Sequence, residues 1–127
     1  MTWKWLETQT VLAIHDYQIA EHGGARGVRD MGLLESAMGR PMQLAVYLEH
    51  DVFDLAAAYA WGIARNHPFL DGNKRTAYVS CLSFLRLHGI TVMADGMERV
   101  FLFERLGKGD ITQEHLATWL RSRSSHK

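Results

Sequence analysis

The sequence predicts an all-α fold, a compact single-domain helical bundle of about six helices over residues 1–127. Three observations predict it. Apolar residues recur at helical spacing through most of the chain. Runs with strand alternation are scarce, and the only prolines are Pro41 and Pro68. The 127 residues, nearly half of them apolar, suit one core and no linker.

Trp5, Leu6, Val11, Leu12, Ile14, Ile19 and Ala20 are spaced for an amphipathic helix from about Trp5 to His22, stopped by Gly23-Gly24. Ala25 to Arg29 reads as a loop. Asp30 can cap a short helix carrying Leu33, Leu34, Ala37 and Met38, which is expected to stop before Pro41. A second short helix is expected through Leu44 to Leu48. Phe53 to Arg65 reads as a helix rich in alanine and glycine, and small side chains let neighbours approach closely, which places it centrally. A long helix, apolar nearly all round and so expected to be buried, resumes near Asn73 and ends at Gly89. Ile90 to Met93 is expected to be an extended connector. Helices near Gly96 to Leu106 and Thr112 to Arg123 follow, the latter with Thr112 as start signal. Residues 122–127 are expected to form a loose polar tail.

Fourteen basic residues balance fourteen acidic ones. The totals therefore lack the basic footprint of general nucleic-acid binding. The single cysteine, Cys81, excludes an internal disulfide framework and favours a reducing, cytoplasmic setting. No apolar run reaches membrane-spanning length, and Met1 to Trp5 lacks the apolar run of a signal peptide.

Chemistry concentrates at His67-Pro68-Phe69-Leu70-Asp71-Gly72-Asn73-Lys74-Arg75, a polar loop between the two central helices. Pro68 disfavours helix at the residue before it, and Asp71 or Asn73 can cap the next helix. Gly72 lets the backbone approach a ligand. Lys74 and Arg75 sit in the first turn, where the helix dipole disfavours cations by about 0.3–1 kcal/mol each. An anion bound there would account for both, and amide groups, lysine and arginine together suit phosphate. His67 can act as a general base near neutral pH, and Asp71 can offer an oxygen to Mg²⁺. The plainer alternative makes Asp71 a cap, His67 a hydrogen-bonded loop histidine, and Lys74 and Arg75 solvated charges. Arg65, two residues before His67, can reach phosphates or simply end its helix. His15 reads as a hydrogen-bonded structural histidine.

On these residues the chain resembles the Fic/Doc family, whose Fic members carry His-Pro-Phe-x-Asp/Glu-Gly-Asn-Gly-Arg-x-x-Arg. His67, Pro68, Phe69, Asp71, Gly72, Asn73 and Arg75 match. Lys74 stands where Fic proteins have glycine, and Tyr78 where they have the second arginine. Both departures resemble the Doc (death-on-curing) branch of Phd–Doc toxin–antitoxin systems, as do Leu12-Ala13-Ile14-His15-Asp16, Gly27-Val28-Arg29-Asp30 and Leu33-Leu34-Glu35-Ser36-Ala37.

The resemblance implies a Fic/Doc-like helical fold and a toxin that transfers the γ-phosphate of ATP to a threonine of elongation factor Tu, blocking translation. It implies His67 as the group that activates the hydroxyl and Asp71 as the Mg²⁺ ligand. Gly72, Asn73, Lys74, Arg75 and Arg65 are implied at the phosphates, with Phe69 anchoring the loop. The implied partner is a Phd-type antitoxin whose C-terminal segment lies in a groove of the toxin, without direct DNA binding by the toxin itself. Two alternatives stay open: Fic-like transfer of AMP to a protein hydroxyl, and a catalytically silent antitoxin-binding module.

Overall fold

The computed structural model describes residues 2–47 and 49–126. Leu48, where the second short helix is expected to end, and Lys127 of the tail lie outside the described residues. Among these described residues six α-helices gather round one hydrophobic core, as the all-α expectation requires.

Helix α1 spans Thr8–His22, three residues shorter at its start than the spacing predicts. The preceding arm is extended because distant side chains occupy its backbone donors. Leu6 N–H donates to the Tyr59 hydroxyl at 3.0 Å, and Lys4 N–H to the imidazole of His88 at 3.1 Å. Burial pushes the Tyr59 hydroxyl up to about 12, so at neutral pH it stays protonated. Trp5 stacks on Phe84. Helix α1 buries Val11, His15, Gln18 and Ile19, one face at helical spacing, and closes on Gly23 at φ 81°.

Helix α2, Met31–Tyr47, begins where Asp30 accepts the Leu33 N–H. It continues unbroken through Pro41, where two short helices are expected. An interior proline lacks an N–H and costs about 3 kcal/mol. Here Leu34, Ala37, Met38 and Pro41 are all buried, and Leu44 and Ala45 pack partly against the core, so one apolar stripe crosses the proline unbroken. Burial of that stripe against α3 offsets the local penalty.

Helix α3, Val52–Asn66, opens with a capping box in which Asp51 and Asp54 each accept a backbone N–H of the other's turn. It is buried nearly all round and packs against α2 and three helices that follow: α4, Asn73–Leu87; α5, Gly96–Lys108; and α6, Gln113–Ser122. Its small residues make the approach possible. A Cβ at Gly62 would lie 3.3 Å from Ala37 Cα of α2.

Helix α4 ends two residues before Gly89 and buries one face rather than its whole circumference. Asp95 caps α5 and Thr112 caps α6. The connector forms strand β1, Ile90–Val92, and the tail forms strand β2, Ser124–His126, paired antiparallel with Thr91 opposite Ser125. The expected loose tail is thus a strand. The connector's backbone needs partners, and the tail supplies them. Arg123 C=O accepts the Met93 N–H at 2.6 Å, while the Arg123 side chain is held by Glu98.

Candidate active site

The loop between α3 and α4 is fixed by its own backbone geometry. His67 ends α3 in the left-handed region, φ 50° and ψ 55°, the only non-glycine residue among those described with positive φ. Pro68 disfavours right-handed helix at His67, and the strained conformation costs about 1–2 kcal/mol. It is held in place by partners. His67 N–H donates to Ile63 C=O, and Arg29 Nε donates to His67 C=O at 2.8 Å.

The segment 27–30 braces the loop from outside. Arg29 Nη2 also donates to Asn66 C=O, and the Arg29 and Asp30 N–H groups both donate to Pro68 C=O. Leu70 N–H donates to Gly27 C=O, and Val28 bridges Phe69. Phe69 itself is 1% exposed, in the core and stacked on His15.

Neither Asp71 nor Asn73 caps α4. The N-cap is Gly72, left-handed at φ 78°, with no side chain on the first-turn N–H groups. Asp71 Oδ2 is turned outward to accept the Ala25 N–H at 2.6 Å. Asn73 is buried and turned back. Its Oδ1 accepts Phe69 N–H and its Nδ2 donates to Phe69 C=O, both at 3.0 Å. Expected at phosphates, Asn73 instead staples the loop.

That staple also fixes the amide's orientation, so its second N–H faces His67 Nδ1 at 3.3 Å. Neutral His67 in this setting carries its proton on Nε2. Accepting a hydroxyl proton at Nε2 needs the other tautomer, and a 3.3 Å contact is weak enough to yield. His67 is exposed, so solvent can mediate the exchange.

A cavity of about 340 Å³ is lined by His67, Leu70, Asp71, Gly72, Asn73, Lys74, Arg75 and Glu104. The structure therefore brings together every predicted site residue except two. Phe69 lies beneath the loop in the core. Arg65 faces elsewhere: its guanidinium packs against Gly109 and over Trp61. A cation in the last turn of α3 suits the helix dipole without any ligand.

Glu104 of α5 is the residue that the loop sequence does not announce. It accepts from Lys74 Nζ at 2.9 Å, and that bond with the lysine charge holds its carboxyl below the ordinary value. Lys74 is thus already paired rather than open to phosphate. Tyr78 lies in an adjoining cavity of about 380 Å³ that shares Lys74, Arg75 and Glu104. Arg99 Nη1 donates to the Tyr78 hydroxyl at 3.3 Å, so a cation from α5 stands beside this neutral position.

Among the described residues no group of three or more His, Cys, Asp or Glu side chains is placed to hold a metal ion. Asp71 alone fits a Mg²⁺ that takes most of its oxygens from phosphate and water. Its Oδ1 has no hydrogen-bond partner among the described residues. No helix among these residues is long and apolar enough to cross a membrane.

A family model described as the Fic/DOC family matches residues 5–85. The chain is 37% identical over 117 residues to "Protein kinase doc" of Escherichia phage P1, covering 91% of this chain and 92% of that protein. It is 45% identical over 76 residues to "Toxin Doc" of Mycolicibacterium smegmatis, covering 58% of each.

Proposed function

The chain belongs to the Fic/Doc family, among relatives named Doc, and on that premise we propose that it is a Doc-type toxin that transfers the γ-phosphate of ATP to a protein hydroxyl. The observation that carries this reading is the cavity at the uncapped start of α4, which gathers a histidine, two carboxylates and two cations. The acceptor is a threonine of elongation factor Tu, and its modification blocks translation in the cytoplasm. A Phd-type antitoxin restrains the toxin through a C-terminal segment that folds on binding.

Phosphoryl transfer asks the protein mainly for positioning and charge. The first-turn N–H groups of α4, with Arg75, receive phosphate oxygens, and Lys74 joins them on leaving Glu104. His67 takes the proton from the acceptor hydroxyl as its oxygen bonds the γ-phosphorus and the bond to the ADP oxygen breaks. Asp71 would hold a Mg²⁺ ion, which when bound spreads the negative charge of the phosphates. Asn73 and Phe69 keep the loop in shape for this, and Asn73 also faces His67 Nδ1.

One observation favours a second reading. Arg99 beside Tyr78 returns a cation near the position where Fic proteins have their second arginine, which suits transfer of AMP. Incubation with elongation factor Tu and ATP labelled at the α- or the γ-position separates the two. Label from the γ-position supports phosphorylation, and label from the α-position alone supports AMP transfer.

A further inference from the structure

His15 lies on α1, 56 residues from the loop in sequence, and no step above uses it. It is nevertheless a buried imidazole, 2% exposed, with its contacts directed at that loop. Its Nε2 stands 2.8 Å from Asp71 C=O. Its ring lies on Phe69 at 3.8 Å between centroids and 7° between planes. A Cβ placed on Gly72 would come within 3.7 Å of the same ring. One side chain therefore meets two of the loop's residues and lies close over a third.

A carbonyl oxygen only accepts, so Nε2 must carry the proton. The chain just after α1 completes the hold, since Ala25 N–H takes the carboxylate of the same aspartate at 2.6 Å. Asp71 is thus gripped at its backbone by His15 and at its side chain by Ala25. Few side chains combine a flat face for Phe69 with a donor at this reach. Phenylalanine keeps the stack and loses the bond, whereas glutamine keeps a donor and loses the stack.

We propose that His15 is a positioning residue: by bonding the Asp71 carbonyl and stacking on Phe69, it sets the backbone from which the Asp71 carboxylate is presented to a divalent cation. The part concerning the cation rests on the function proposed above, and the part concerning the loop does not.

The test uses the full chain with His15→Phe and His15→Gln, each first shown to melt cooperatively. Imidazole nitrogen resonances of the wild type should show His15 protonated at Nε2. Amide exchange at Phe69 and Leu70 should quicken about fivefold in H15F, the ratio expected for one lost neutral hydrogen bond, and return to within about twofold in H15Q. In the labelled-ATP assay the half-saturating Mg²⁺ concentration should rise by a similar factor in H15F, with KM for the acceptor protein unchanged. An Nδ1-protonated His15, or a folded H15F with unchanged loop exchange, overturns the proposal. Faster exchange with an unaltered Mg²⁺ requirement also overturns it and leaves His15 a structural group. If the wild type transfers no phosphate at all, the function fails separately, and the resonances and amide exchange alone decide the role of His15.

Discussion

Replacing Asn73 with alanine tests the idea that this side chain is a staple rather than a phosphate ligand. Its amide is the hydrogen-bond partner of both the N–H and the C=O of Phe69, in a setting where Asn73 is 5% exposed. Truncation leaves two buried backbone groups unpaired, at about 1–3 kcal/mol each. Some water will enter from the cavity side, so a total of about 3 kcal/mol is a reasonable centre for that range. For a domain of this size each kcal/mol shifts Tm by about 3–5 °C, which gives a drop of about 9–15 °C. Scanning calorimetry at pH 7 measures it. Asn73→Asp adds a sharper signature. It keeps the acceptor for Phe69 N–H but sets a carboxylate oxygen against Phe69 C=O, so its deficit should shrink as acid protonates that oxygen. An N73A melting point within 2 °C of wild type would refute the reasoning.

Three further outcomes follow from the same contacts. Gly62→Ala presses a methyl group onto Ala37 and should cost about 1–3 kcal/mol in urea unfolding, because both backbones are fixed in packed helices; an unchanged midpoint contradicts that packing. Burial pushes the Asp51 carboxyl up, but bonds from Arg121 and Asp54 and the Arg121 charge outweigh it and hold the group below its usual 3.8. Its stabilisation is therefore full above that value and lost as pH falls through the lower folded value. Arg121→Met should lose up to about 1 kcal/mol at pH 7 and converge with wild type in acid, since the pair is half-exposed. Glu104→Gln releases Lys74 and should lower the half-saturating ATP concentration roughly two- to fivefold, less at high salt; unchanged saturation would place Lys74 away from phosphate.

The chain's central helix was legible because the cause is local. A run of alanines with Gly62 lets neighbouring helices approach closely, and α3 lies at such a crossing. Pro41 misled for the opposite reason. The proline rule is local, whereas the stripe that carries α2 through it is a property of the α2–α3 contact. The polar tail misled likewise, since its composition is that of a free end and its partner strand lies some thirty residues earlier.

At the site, the residues that line the cavity are mostly contiguous, so a loop sequence exposes them together. Their supports are not. Arg29 reaches His67 across 38 positions, Lys74 meets Glu104 across 30, and His15 meets Asp71 across 56. Such contacts exist only once the helices have packed. Asn73 shows a subtler limit. Its place beside Lys74 and Arg75 suggests a ligand role, but its buried amide bonds the loop four residues back. Arg65 is the converse case, close in sequence to His67 yet turned toward Gly109.

The most direct measurement is transfer of label from γ-labelled ATP to elongation factor Tu by the wild-type chain and by His67→Ala, with α-labelled ATP run in parallel. The account predicts γ-label on the factor, none from the α-position, and a rate lower by about 10²–10⁴ in H67A, the usual contribution of a general base. Label from the α-position alone, or an undiminished rate in a folded H67A, would contradict it.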